Sequence, residues 1–175
     1  MSQREDVETA PWINPCQIVR PERRILDKVY QHAKDCYPDE CCGFIRAGGE
    51  VHRATNDQNR LHAEDPVRWP RPARQAYRFA DHDLLALNRS FQDSAPAVII
   101  YHSHPDVGAY FSSTDAADAI YQGRPIYKVD YLVIDIRRAL PVGAKLFRFF
   151  DGSFHCLWSE TIKQATTTAR QETQQ

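Results

Sequence analysis

At 175 residues with 42% hydrophobic side chains, the chain has the length of one ordinary domain with a sizeable core and no room for a second. Its 22 Lys+Arg nearly cancel its 23 Asp+Glu, so bulk charge gives no basis for binding nucleic acid or an anionic membrane. No apolar run approaches the roughly 18 residues of a membrane span, and the polar start MSQREDVETAPWINP lacks the basic and apolar regions of a secretory signal, so a cytoplasmic protein is expected.

Residues 1–21 read as an irregular lead-in, interrupted by Pro11, Pro15 and Pro21. Ile25, Leu26, Val29, Tyr30 and Ala33 then recur at helical spacing and predict an amphipathic helix of about four turns that stops before Pro38. Cys42–Arg46 and Glu50–Thr55, separated by Ala47-Gly48-Gly49, predict a β-hairpin. The polar stretch Asn56–Arg74, with Pro66, Pro70 and Pro72 around Trp69, reads as a long surface loop of the kind that often carries function. Gln75–Phe79 is a strand candidate, and Asp81–Phe91 a helix with Asp81 as its N-cap.

The strongest buried-strand signal is Ala97-Val98-Ile99-Ile100-Tyr101, which runs directly into His102-Ser103-His104-Pro105. After a loop, a helix is expected from about Ser113 to Tyr121, ended by Gly123 and Pro125. Strands Tyr131–Ile136, Ala144–Phe150 and Ser153–Leu157 follow, and a Thr- and Gln-rich tail occupies 159–175. Helices and strands alternate without strict β-α-β order, which favours a mixed α/β sandwich over a doubly wound parallel sheet. The five cysteines, an odd number with no Cys-x-x-Cys pair, read as free thiols. Cys41 and Cys42 would face opposite sides of a strand, with Cys42 as a small packing residue.

His102 and His104 carry the first chemical signal. Their spacing of two puts both imidazoles on one face at the end of a strand. Ser112 and Asp115, three apart at a helix start, share a helix face, so a helix beside the strand end could present Asp115 as a third ligand. Two imidazole nitrogens and a carboxylate oxygen make a catalytic zinc set with the fourth position open. Ser-x-x-Asp is also a capping-box pattern, and the two roles are compatible because a cap fixes where the carboxylate points.

His102-Ser103-His104, seven intervening residues, Ser112, two more and Asp115 together resemble the JAMM motif of the MPN/JAB metallopeptidase family. The segment Pro38-Asp39-Glu40-Cys41-Cys42-Gly43-Phe44 is similar to the early strand that carries the family's glutamate. The resemblance covers residues 22–158 and is closest to the small single-domain prokaryotic members. It implies a three-layer sandwich similar in layout to the cytidine deaminases, with helices on both sides of a mixed sheet. It further implies one zinc ion per chain, with His102, His104 and Asp115 as its ligands. Glu40 would move the proton from the attacking water to the leaving amine, and Ser112, in preference to Ser113, would donate to the oxyanion.

As substrate, the resemblance implies a ubiquitin-like or sulfur-carrier protein with a C-terminal Gly-Gly, cut at a peptide or isopeptide bond, and Arg60, Arg68, Trp69, Arg71 and Arg74 could help grip it. The residues leave open a JAMM peptidase of phage-tail or cell-wall processing and a non-catalytic MPN-type scaffold. A deaminase would need a Pro-Cys-x-x-Cys pair, which the chain lacks. His32, His52, His62, His82 and His155 are expected as surface or core residues, and Asp81-His82-Asp83 as a helix start rather than a second metal site.

Overall fold

A computed structural model of the chain describes residues 20–163. Residues 1–19 of the expected lead-in, with Cys16, and residues 164–175 of the tail therefore lie outside the described residues. The elements run α1 (Arg23–Cys36), β1 (Cys42–Arg46), β2 (Val51–Ala54), α2 (Gln58–Glu64), α3 (Asp81–Ser90), β3 (Ala97–Pro105), α4 (Ser113–Ala119), β4 (Ile120–Tyr121), β5 (Arg124–Pro125), β6 (Asp130–Arg137), β7 (Leu140–Phe150) and β8 (Ser153–Thr161). Six strands form one sheet in the order β2-β1-β3-β6-β7-β8, and β4 pairs with β5 in a separate ribbon. Within the large sheet β3 and β6 are parallel and the other neighbours antiparallel. The mixed α/β class expected from the sequence is the one found.

Alternation along the strands sorts side chains into two cores, one on each side of the sheet. On one side, Ile25, Leu26, Val29 and Ala33 of α1 pack on Ile45, Ile99, Tyr101, Leu132 and Ile134. On the other, Leu87 of α3 and Ala119 beside β4 pack with Phe44, Ile100, Tyr131, Val133 and Phe147. Helices therefore flank both faces, giving three layers. Cys41 and Cys42 are both fully buried, and they fall in opposite cores as their adjacency predicts. The four described cysteines are free thiols, and no described helix is long and apolar enough to cross a membrane.

Five local expectations are corrected. The stretch Asn56–Arg74 is not all loop, because it contains α2. Gln75–Phe79 forms only an isolated bridge, Phe79 with Asn56. Two of its backbone groups are met instead by a side chain: Asn56 Nδ2 donates to the Ala76 carbonyl, and Arg78 N–H donates to Asn56 Oδ1. Ala80, not Asp81, is the N-cap of α3. Helix α4 ends at Ala119 because the chain turns there into the β4–β5 ribbon, whose turn has Gln122 and Gly123 at positive φ. At the C-terminal end, β8 runs to Thr161, four residues past the expected strand end at Leu157.

Two contacts lock α1 and β2 onto β3. His32, buried on α1, meets the Tyr101 hydroxyl through Nδ1 at 2.8 Å, and that hydroxyl donates to the His52 carbonyl at 3.3 Å. To reach both, the Tyr101 ring crosses its partner residue Gly43 in the β1–β3 ladder. A Cβ at Gly43 would stand 2.2 Å from the His52 carbonyl oxygen and 2.4 Å from the Tyr101 hydroxyl. Only glycine fits where two backbones and a ring converge. Gly43→Ala is therefore expected to destabilise the domain by roughly 2–4 kcal/mol through forced displacement of β2 and Tyr101, read as a lowered denaturation midpoint.

Burial pushes His32 down to about 4, with the charge of Arg53 adding to the effect. Its folded-state value lies below the unfolded one, so the neutral ring contributes stability above about 6.5 that is lost as pH falls toward 4. The stability of the parent relative to His32→Gln should decline across that window by on the order of 2 kcal/mol. Urea midpoints at pH 7.5 and 4.5 measure it, and a gap that stays constant with pH would show that His32 is not the titrating group.

Candidate metal centre

The parallel pairing of β3 with β6 holds β3 as far as Pro105, so His102 and His104 are still in register, opposite Val133 and Asp135. Both imidazoles are buried, His102 completely. Their Nε2 atoms are 3.1 Å apart, and Asp115 closes the triangle, with Oδ1 3.5 Å from His102 Nε2 and Oδ2 3.6 Å from His104 Nε2. Among the described residues this is the one group of three potential ligand atoms gathered so closely.

The helix start that carries Asp115 is a complete capping box. Ser112 Oγ accepts from Asp115 N–H at 3.0 Å, and Asp115 Oδ2 accepts from Ser112 N–H at 2.8 Å. The cap thus aims the carboxylate at the histidines. It also uses the Ser112 hydroxyl only as an acceptor, which leaves its proton available to donate elsewhere.

A metal fits this donor set on two counts. Four-coordinate zinc with ligand bonds near 2.0–2.1 Å places neighbouring donor atoms about 3.3 Å apart, close to the observed triangle. The tautomer agrees as well. His104 Nδ1 lies 3.1 Å from the Gly108 carbonyl, which can only accept, so Nδ1 carries the hydrogen and neutral Nε2 presents a lone pair inward. Gly108 reaches this geometry with φ +99°, a conformation suited to glycine. The inward lone pair of His104 and the Asp115 carboxylate are acceptors facing one another 3.6 Å apart, an arrangement that calls for a cation or a proton. Accordingly, although burial works against the charged ring, contact with Asp115 and the nearby Glu40 charge holds His104 above its ordinary value. Complete burial holds His102 below its own. Burial would raise Asp115, yet the bonds from His102, His104 and Ser112 hold it far below the usual carboxylate range.

Glu40 lies two residues before β1, not on the strand where the resemblance puts it. It is buried, and burial pushes its carboxyl up to about 8, against the charges of His104 and Arg71. Its main chain is pinned on both sides: its N–H donates to the Ala73 carbonyl at 2.9 Å, and its carbonyl accepts from Asn56 Nδ2 at 2.9 Å. Glu40, His104, Ser112 and Asp115 line one cleft of about 540 Å³. The structure therefore brings all five singled-out residues together, since His102 stands behind His104 in the same triangle.

Three supporting residues were not visible in the sequence reading. Ser103, between the two histidines, points to the other face, where its Oγ accepts from Cys41 N–H at 2.9 Å while its own N–H donates to the Cys41 carbonyl at 3.0 Å. This reciprocal pair sets the distance between Glu40 and the histidines. Asn56 anchors Glu40, and Tyr77 stacks on His102 with ring centroids 4.6 Å apart. The alternation of β3 could have marked Ser103; nothing local marks the other two. His52 and His82, expected to lack ligand-like partners, both meet the buried Asp83, at 2.7 and 3.1 Å. That contact depends on β2 and α3 meeting in space.

Residues 22–149 match the family described as prokaryotic homologs of the JAB domain, and JAB domains include metallopeptidases and can hold zinc. No curated protein matches the chain. Among solved structures, a Desulfitobacterium hafniense protein determined in solution is similar at 19% identity, over 77% of this chain and 86% of its own, with a TM-score of 0.53, a likeness of fold. A Salinibacter ruber protein, also determined in solution, shares 26% identity over 84% of this chain and 92% of its own, with a TM-score of 0.47.

The Ser103 bond makes a direct prediction. Ser103→Ala strands the buried Cys41 N–H and should lower stability by about 1–3 kcal/mol in chemical denaturation, whereas Ser103→Thr, which keeps the acceptor, should recover part of the loss.

Proposed function

The chain belongs to the family of prokaryotic homologues of the JAB domain, and from that premise we propose that it is a zinc-dependent peptidase or isopeptidase. Its substrate, on this reading, is a ubiquitin-like or sulfur-carrier protein, cut after the C-terminal glycine tail. The observation that carries the reading is the triangle of His102, His104 and Asp115, with Glu40 and Ser112 facing the same cleft. His102, His104 and Asp115 would hold the ion. When bound, zinc would polarise the scissile carbonyl and acidify the attacking water.

The remaining steps fall to the chain's own groups. Glu40 takes a proton from the attacking water and returns it to the leaving amine, a task suited to a buried carboxyl already raised from its ordinary value. The pinned backbone on either side of Glu40 keeps that carboxyl at one distance from the histidines. The Ser112 hydroxyl, with its proton free, donates to the oxygen that gains charge. Tyr77 and Tyr110 pack against His102 and His104 and keep the imidazoles from rotating.

A glycine tail suits such a site. Without side chains it can pass closely between the tyrosines and the acceptor triangle. The β4–β5 ribbon, directly after α4, offers a short strand edge along which an extended tail could lie by β-augmentation.

Elemental analysis should find one zinc per chain, lost in His104→Ala. Incubation with ubiquitin-like fusions, read by intact mass, should yield a product ending in Gly-Gly that a chelator suppresses. Glu40→Gln should keep the metal and lower turnover by roughly 10²–10⁴-fold, and Ser112→Ala by about 10²–10³-fold. A folded chain that takes up no zinc would sink the metal reading and favour a binding scaffold. A chain that takes up zinc yet leaves every such fusion intact would sink the substrate assignment.

A further inference from the structure

Two clefts meet at Asp115. One, of about 250 Å³, is largely apolar, with Tyr77, Leu84, Leu87, Ile126 and Tyr127 on its walls. The other, of about 540 Å³, is polar and holds Glu40, His104 and Ser112, with Arg71 and Arg74 on its wall. Glu40 lines only the second. In amide hydrolysis the group that returns the proton must face the leaving amine. On the reading just given, the leaving fragment therefore occupies the cleft that contains the two arginines.

The two arginines are not equivalent. Arg74 is exposed and has the Asp106 carboxylate 3.5 Å away. Arg71 is partly buried, and among the described residues its guanidinium makes one hydrogen bond, to Thr114 Oγ1 at 3.2 Å, with no carboxylate at ion-pair distance. Thr114 lies between Ser112 and Asp115 in the chain, so this bond holds the guanidinium beside the reacting groups. A guanidinium offers five donors in a planar fork matched to a carboxylate, and only one of them is used here. The side chain is not needed to hold its segment either. The Arg71 carbonyl accepts from Gln58 Nε2 at 2.7 Å, and Ala73 N–H donates to Asn59 Oδ1 at 2.8 Å. The Arg71 charge acts on Glu40 through space, but no carboxylate closes its fork, so its open donors face an anion entering the cleft.

We propose that Arg71 binds a carboxylate of the leaving fragment, so that the site favours substrates that release one or two residues ending in a free α-carboxylate. An extended residue spans roughly 3.5 Å, so a terminal carboxylate one or two residues beyond the scissile bond would cross the cleft to the guanidinium. A lysine side chain within a folded acceptor protein offers no such group, and isopeptides are the poorer substrates on this account. The assignment rests on the peptidase reading for the direction in which the substrate lies.

Peptides ending in Gly-Gly-Ala as free acid, Gly-Gly-Ala carboxamide and Gly-Gly-Asp carboxamide test it by titration against the chelator-treated full-length chain, where binding is measured without turnover. The free acid should bind about tenfold more tightly than the Ala carboxamide. Arg71→Gln should abolish that difference while leaving the carboxamide's affinity unchanged, and Arg71→Lys should retain part of it. Equal affinities for acid and amide in the parent, or a preference that survives Arg71→Gln, would overturn the assignment. So would Asp carboxamide binding as tightly as the free acid, because the carboxylate read would then be a side chain's. Cleavage of the same peptides by the zinc-loaded chain is scored separately. An acid preference in binding with no cleavage would remove the peptidase reading and leave the anion site standing.

Discussion

A strand can send only every second side chain to one face, and the candidate centre is built on that constraint as it acts in β3. Hydrogen-bonded on both sides and buried along its length, β3 gives Ile99 and Tyr101 to the α1 core and Ile100 to the other. At its end the same alternation sends Ser103 toward β1 and His102 and His104 toward α4. A one-residue slip in register would exchange those faces, placing the serine at the metal triangle and the histidines against the first core. The pairings of β3 with β1 and β6 that make the sheet therefore also fix the chemistry at its edge.

Electrostatics at the site follow from burial. Two imidazoles and two carboxyls crowd a space where water does not screen them, and each is displaced from its ordinary proton affinity. Fold stability alone gives no reason to gather so many acceptors. The cluster is held in place by structure that has other work to do: the helix cap of α4, the central strand and the Asn56 side chain. Such a site is rigid before any ligand arrives, so little ordering remains to be done when one binds.

The parts of the site that were readable in the sequence are those encoded locally. His-x-His and Ser-x-x-Asp each lie within a single element, where a period of two or a helix cap fixes the geometry. The main strands and the long helices were likewise legible from periodicity. Glu40 is distant in sequence from both pairs, and only the resemblance linked it to them. What stayed hidden was non-local hydrogen bonding: Asn56 serving Glu40, Ala76 and Arg78, Ser103 answering Cys41, and Asp83 shared by His52 and His82. A polar side chain that satisfies a distant backbone group leaves no periodic trace. For the same reason Gln75–Phe79 resembled a strand although an amide side chain, in place of a neighbouring strand, meets the Ala76 carbonyl and the Arg78 N–H.

The placement of the cysteines has a practical consequence for handling the folded protein. Cys41 and Cys42 are enclosed in separate cores on opposite sides of the sheet, so they cannot pair with each other, and burial keeps both thiols protonated. Neither can offer a thiolate to a thiophilic metal. Cys36 is half-covered, while Cys156 stands exposed on β8, the outer strand of the sheet. Among the described thiols, a maleimide reagent applied under native conditions thus meets one open attachment point, on the strand two places removed from the β3–β6 pair that carries the histidines.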